Sequence, residues 1–236
     1  MFDKSKLMAG VQEVLYGSDQ DCVKDTVIKK FVLLVKVCLG TDAVGIRLHE
    51  GDDFPYYTTI GFTESFVVAE NSLCGRDASG NLILDKDGRP MLACTCGALL
   101  RGKISYGFPG CTSGGSLCVN STSALLTSIP ENNLPSGFRG RCHKDGYESV
   151  CLVPIRHNSN TIGLLQANSQ KQDAFDGGVV EVLEDACGLL AELLEPILED
   201  EARIAEENRQ MGEHLRLSAR EISDIILKMP DPPDSV

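Results

Sequence analysis

Two apolar runs in the second half of the chain, Val150 to Ile155 and Thr161 to Ala167, leave little freedom in the choice of fold. Each has the length of a strand and is rich in β-branched and aliphatic residues, and the segment between them, Arg156-His157-Asn158-Ser159-Asn160, has the chemistry of a turn. They predict an antiparallel hairpin of central strands. A second hairpin is predicted upstream, with Ala43 to His49 and Tyr56 to Phe62 joined through Gly51-Asp52-Asp53.

The remainder is mostly helical. Leu7, Met8, Val11, Val14 and Leu15 recur at helical spacing before Gly17, and Val23, Val27, Ile28, Phe31, Val32, Leu34 and Val35 give a broad apolar face to a helix from about Asp19 to Leu39, closed by Gly40. Cys22 and Cys38 belong to the same pattern, Cys151 to a strand and Cys187 to a helix seam, where free cysteine serves as a small core residue. From Gly178 helical periodicity continues nearly to Met229, interrupted only by Pro196, where a kink is expected. Helix, hairpin, irregular insertion, hairpin, helix is an α+β layout, an antiparallel sheet flanked by helices.

A heptad laid on the last helix places Leu183, Leu190, Ile197, Ile204, Met211, Ser218 and Ile225 on one seam position. Cys187, Leu194, Glu201, Asn208, Leu215, Ile222 and Met229 fall on the other. A mostly apolar seam with polar breaks is the pattern of a two-stranded coiled coil, so a homodimer is predicted through the part beyond Pro196.

Charge is segregated along the chain. Of a net −12, residues from Asp176 onward contribute −11, and the preceding body is nearly neutral. No basic surface is offered to nucleic acid or an anionic membrane, and no run approaches the roughly 20 apolar residues of a membrane span. The opening Met1-Phe2-Asp3-Lys4-Ser5-Lys6 leads into an amphipathic pattern, and a soluble, cytoplasmic protein is expected. In a reducing compartment its ten cysteines are expected as thiols, available for metals or chemistry.

Between the hairpins the sequence becomes irregular and glycine-rich. It contains Leu73-Cys74-Gly75-Arg76-Asp77, Cys94-Thr95-Cys96-Gly97, Asn120-Ser121-Thr122 and Arg141-Cys142-His143-Lys144-Asp145-Gly146-Tyr147-Glu148. Asp77 to Pro90 reads as turns around a brief strand at Leu82-Ile83-Leu84, and Ser123 to Ile129 as a short helix stopped by Pro130.

The closing strands, Val150-Cys151-Leu152-Val153-Pro154-Ile155 and Ile162-Gly163-Leu164-Leu165-Gln166-Ala167-Asn168, resemble those of a GAF domain. With Gly51-Asp52-Asp53-Phe54-Pro55-Tyr56-Tyr57 and the irregular blocks above, the chain resembles more narrowly a cysteine-containing GAF subgroup of bacterial and archaeal sensor histidine kinases and regulators. The resemblance covers about residues 19–200. It implies a six-stranded antiparallel sheet whose distal loops enclose a small ligand or cofactor, with helices on the other face that dimerise and pass a signal on. The resulting division is an N-terminal amphipathic helix over 1–17 and a GAF-like sensory domain over 18–176, with its cysteine-rich insertion at 70–148. A dimerisation and signalling helix follows over 177–229, and a disordered tail over 230–236. No kinase or DNA-binding segment follows the helix, which points to a separate histidine kinase or regulator as partner, or to signalling by dimer state alone.

Cys74, Cys94, Cys96 and Cys142 lie inside the matching blocks and make a complete tetrahedral set for zinc or an iron–sulfur cluster. On a straight strand Cys94 and Cys96 sit about 7 Å apart, too wide for one metal without a bend at Gly97. Reduced thiols beside a ligand pocket, a reversible disulfide and haem held by His49, His143 or His157 remain alternatives. The predicted small-ligand contacts are Arg76, Asp77, Asn120, Ser121, Thr122, Arg141, Tyr147 and Glu148, the arginines suited to a carboxylate or phosphate. Two pairs among these have a plainer reading, a local ion pair or turn cap for Arg76-Asp77 and strand-entry packing for Tyr147-Glu148. Some GAF proteins reduce free methionine sulfoxide with cysteine nucleophiles. No motif of that enzyme is found in the closing strands, so a non-enzymatic module is expected.

Overall fold

The computed structural model describes residues 2–17, 24–104, 108–158 and 160–228, the last five as backbone alone. Cys22 and the tail from 230 onward, assigned above, lie outside the described residues. The chain divides into two units between Leu193 and Leu194.

Both predicted hairpins are present. Strand β1 (Ala43–Leu48) pairs antiparallel with β2 (Tyr56–Ile60), and β4 (Ser149–His157) with β5 (Asn160–Ser169). The two hairpins join through an antiparallel β1–β5 pairing. Strand β3 (Leu117–Val119) adds to the outer edge of β4. The described sheet thus has five strands in the order β2-β1-β5-β4-β3, one fewer than the resemblance implies.

Helices α1 (Lys4–Tyr16) and α2 (Lys24–Leu39) form as the periodicity predicts, and α2 packs on β1 and β2. Asp3 caps α1 by accepting a hydrogen bond from the Lys6 N–H, satisfying one of the donors a helix start leaves unpaired. Helix α3 (Glu64–Glu70), which the sequence reading left unassigned, follows β2 and is capped by the Thr63 hydroxyl.

The insertion has a framework of its own. Single bridges Cys74↔Leu92, Arg76↔Leu82 and Leu84↔Pro90 fold residues 74–92 back on themselves, and Asp77 and Asp85 each nucleate a turn by accepting backbone N–H groups two and four residues ahead. Helix α4 (Cys94–Leu100) then packs on β4 and β5. Helices α5 (Thr122–Ser128) and α6 (Arg141–Lys144) complete this side. Their cover is an apolar cluster that includes Phe66, Leu73, Leu92, Leu99, Leu117 and Leu152.

Helix α7 (Gly177–Lys228) runs through Pro196 without a break in helical assignment. In the first unit its Val180, Leu183, Cys187 and Leu190 are buried. The second unit is polar around most of its circumference, with Arg203 paired to Asp200 and Glu207 and Arg209 to Glu206. Such solvent-exposed pairs contribute little to stability. No described helix is long and apolar enough to cross a membrane.

Candidate functional site: a thiol-lined cavity on the sheet

Alternate residues of β5 show where the sheet carries chemistry. Leu165 and Ala167 point to the helical layer, while Gln166 and Asn168, both buried, point to the insertion side in an otherwise apolar strand. A buried amide must find partners. Gln166 Oε1 accepts from the Tyr56 hydroxyl at 2.8 Å and from the Cys96 thiol at 3.9 Å, and Gln166 Nε2 donates to Asn168 Oδ1 at 3.1 Å and to the Cys142 sulfur at 3.5 Å. One side chain therefore ties β2, α4 and α6 to the centre of the sheet.

Behind this row lies a buried cation. Arg47 enters β1 at its register shift, is 1% exposed, and forks three donations onto backbone carbonyls: Phe54 and Asn71 at 2.9 Å and Glu70 at 2.7 Å. Its guanidinium lies 3.6 Å from the Tyr56 ring centroid, a stacking geometry that lysine does not reproduce. Burial pushes the Glu70 carboxyl up, with the charges of Arg139 and then Arg47 opposing. Arg139 holds Glu70 Oε2 at 3.3 Å and the Ser72 carbonyl at 2.9 Å.

Against this row a cavity of about 60 Å³ opens between α4, α5, α6 and the sheet, room for a few water-sized atoms. Leu117, Val119, Val150, Leu152, Leu125 and Phe138 make its apolar walls. Its chemistry comes from Cys94, Thr95 and Cys96 on α4, Thr122 on α5, and Arg141, Cys142 and His143 on α6. Thr122 Oγ1 donates to the Tyr147 carbonyl at 2.8 Å and lies 3.0 Å from His143 Nδ1.

Two of these thiols, Cys96 and Cys142, are held protonated. Burial raises Cys96 well above the ordinary thiol range, and Arg47 only partly offsets it. Burial, then the neighbouring Cys94, pushes Cys142 up to about 12. At neutral pH these two are weak hydrogen-bonding groups, whereas metals and nucleophilic attack both require thiolates.

Of the four thiols predicted as metal ligands, the structure gathers Cys94, Cys96 and Cys142 around one cavity and leaves Cys74 elsewhere. Cys74 packs by Asp52 and Ser72, its thiol reaching the Asp52 carbonyl at 4.0 Å. Cys94-Thr95-Cys96, whose spacing on a straight strand is too wide for one metal, is the first turn of α4, and Cys94 begins it with φ +63°. Gly97 therefore introduces no bend in a strand. Among the described residues no group of three or more His, Cys, Asp or Glu side chains is placed to hold a metal ion.

The predicted ligand contacts divide in the same way. Thr122 and Arg141 face the cavity, the latter paired at its rim to Asp145 at 2.8 Å. Arg76 and Asp77 are the turn caps of the exposed insertion, Arg76 donating to the Gly80 carbonyl at 2.8 Å and Asp77 organising residues 79–81. Asn120 clamps Phe175 by exchanging two hydrogen bonds with its backbone. Ser121 caps α5 and shares Glu148 with Ser123, whose hydrogen bonds hold the Glu148 carboxyl below its usual range. Tyr147 is buried edge-on to Phe62 and Phe66 at 5.7 and 5.9 Å. Arg47, Tyr56, Gln166 and Asn168 were missed, although two amides interrupting an apolar strand were a legible signal.

No family model and no curated protein matches this sequence. The structure does have solved neighbours. The GAF domain of a phosphoenolpyruvate-protein phosphotransferase from Coxiella burnetii superposes with TM-score 0.58 at 11% identity, over 85% of this chain and 99% of that one. The fold is GAF-like. Free methionine-R-sulfoxide reductase from Neisseria meningitidis, with its substrate, has TM-score 0.53 at 14% identity over 81% of this chain and 90% of that one. The Staphylococcus aureus counterpart has 0.51 at 15% over 80% and 95%. These reductases overturn the expectation of a non-enzymatic module. The absence of a local motif excludes nothing in a GAF-like fold, because thiols from distant segments meet only when the chain is folded.

Proposed function

We propose that this chain is a GAF-type sensory module that takes a small ligand into the thiol-lined cavity and signals to a partner through α7 as a homodimer. The observation that carries the reading is convergence: Cys94 and Cys96, Thr122, and Arg141, Cys142 and His143 come from three short helices onto one cavity. A ligand there replaces the hydrogen bonds the thiols make with Gln166 and so bears directly on how α4 and α6 seat on the sheet. The reading is tested by native mass spectrometry and thermal melting of protein purified without oxygen, with added zinc or free methionine sulfoxide as probes. The control is Leu125→Trp, which fills the cavity from the half-buried face of α5. A bound mass or a rise in Tm in wild type that the control loses is expected. Identical behaviour of the two proteins discards the cavity as the ligand site.

A redox reading is favoured by the three thiols sharing that cavity. In it, Cys94 attacks the sulfoxide sulfur, and the oxygen passes with the Cys94 proton to that thiol sulfur as a sulfenic acid while the sulfide leaves. The Cys142 thiol then attacks the sulfenic sulfur, the hydroxyl leaving with its proton as water and a disulfide remaining. Turnover of free methionine-R-sulfoxide with dithiothreitol, lost in Cys94→Ser or Cys142→Ser, is the outcome this reading requires. No turnover removes it.

The dimer has its own support in exposed apolar side chains at the predicted seam. Ile204 and Met211, on one seam position, are 50% and 63% exposed, and Leu215 and Ile222, on the other, are 62% and 57% exposed. The double variant Ile204→Asp/Met211→Asp is expected to weaken the dimer at least about a hundredfold, since each large apolar side chain buried is worth about 1.5–3 kcal/mol. Sedimentation showing an unchanged dimer would remove the coiled coil from the proposal.

A further inference from the structure

The face of the sheet turned away from the cavity carries a second group of thiols. Cys118 on β3 and Cys151 on β4 are directly opposed across the antiparallel ladder. The Cys118 N–H donates to the Gly110 carbonyl at 2.8 Å, away from β4, so the two form a non-hydrogen-bonded pair. In such pairs the Cα atoms are about 4.5 Å apart and the side chains approach most closely. That separation falls within the range of about 4.4–6.8 Å that a disulfide spans. Both are free thiols; Cys118 is half-buried at the sheet edge and Cys151 fully buried.

From this geometry we infer that Cys118 and Cys151 form a redox site, an opposed dithiol that a peroxide converts into a cross-strand disulfide. The Cys118 thiolate attacks one peroxide oxygen, the O–O bond breaks, and the other oxygen leaves as water after protonation. Cys118 is then a sulfenic acid. The Cys151 sulfur attacks it, the S–S bond forms, and the hydroxyl leaves with the Cys151 proton as a second water. Two thiols and one hydrogen peroxide give one disulfide and two waters.

The environments of the two sulfurs suit this order. The hydrogen bond from the Cys151 thiol lowers the Cys118 pKa, while the same contact and burial hold Cys151 protonated. The attacking sulfur is thus the accessible one, and the resolving thiol waits beneath it. Cys187 of α7 neighbours Cys151, but it is fully buried and burial, then Glu184, pushes its thiol up, so it is protected from direct attack.

Oxidation at this pair reaches the start of α7. The Cys118 thiol donates to the Phe175 carbonyl at 3.8 Å, the same carbonyl that accepts from Asn120 Nδ2 at 2.5 Å, two residues before α7 begins. Disulfide formation removes that donor and staples the three-residue edge strand β3 to β4.

The test is limited hydrogen peroxide treatment of the full chain, followed by alkylation of remaining thiols and non-reducing peptide mapping, for wild type, Cys118→Ser and Cys111→Ser. Wild type and Cys111→Ser are expected to lose two hydrogens in mass and yield one cross-linked pair of peptides, fragmentation placing the bond between Cys118 and Cys151. Cys118→Ser is expected to lose that cross-link entirely while melting like wild type when reduced. If Cys118→Ser melts early, Cys118→Val replaces it as the control. Cross-linking confined to the cavity thiols, bonding of Cys151 to Cys187, or Cys118 and Cys151 remaining fully alkylated would each overturn the assignment.

Discussion

Arg47→Met is expected to lower the free energy of unfolding by about 3–6 kcal/mol, because two buried carbonyls and a partly buried third lose their donor and each unsatisfied buried group costs about 1–3 kcal/mol. Those carbonyls belong to Phe54, just before β2, and to Glu70 and Asn71, at and just past the end of α3. Methionine fills much of the volume and removes a costly buried charge, which moderates the loss without replacing the donors. Arg47→Lys is expected to fall between the two, since one ammonium does not span three carbonyls and stack on Tyr56 together. A domain typically has only about 5–15 kcal/mol of stability, so Arg47→Met should approach the threshold of folding. Urea titration decides the matter. A midpoint that falls with unchanged slope supports the argument, and a loss under about 1 kcal/mol would mean that the carbonyls find other donors.

Gly97→Ala is expected to cost about 1–3 kcal/mol, the range of overpacking at a close contact. Intrinsic helix propensity predicts the opposite sign, since alanine is favoured over glycine by about 1 kcal/mol in a helix interior. Tertiary contact decides. A Cβ at Gly97 would lie 2.5 Å from the Leu92 carbonyl carbon and 2.7 Å from its oxygen, backbone atoms that do not swing aside as a side-chain tip would. Helix α4 has to lift away from residue 92, carrying Cys96 from Gln166. Labelling of Cys96 by iodoacetamide should therefore quicken as its burial is relieved, alongside a lower urea midpoint. Gly188→Ala, on α7 with nothing within 4 Å of the added carbon, is the control and is expected to stabilise by about 0.5–1 kcal/mol. If Gly97→Ala is also stabilising, the close approach of α4 to Leu92 is wrong.

These two positions mark the limits of sequence reasoning here. Neither has a local pattern that gives away its role. Arg47 lies in a run with strand character, and nothing in it says that its charge is buried on three carbonyls contributed by segments up to 24 residues away. Gly97 reads as a bend beside Cys-x-Cys because a seven-residue segment has too little periodicity to separate strand from helix. Short helices have little stability of their own, and α4 forms because it packs on β4 and β5.

By itself the sequence determined the elements whose signal is local and repeated. The apolar runs of β4 and β5, the hairpin of β1 and β2, the faces of α1 and α2 and the long helical pattern of α7 all stand where period and turn chemistry put them. Their order also carried the resemblance to GAF domains, and the fold agrees. What the tertiary structure alone decided is which of ten cysteines meet. Cys94 and Cys96 meet Cys142, 48 and 46 positions further along the chain, because α4 and α6 dock on one face of β5, while Cys74 is carried off by the bridge to Leu92. Cys118 and Cys151 face one another through a register set by the pairing of β3 with β4. Local propensity reports the conformation of a few neighbouring residues. The meeting of distant side chains depends on strand register and helix docking, which are properties of the folded core.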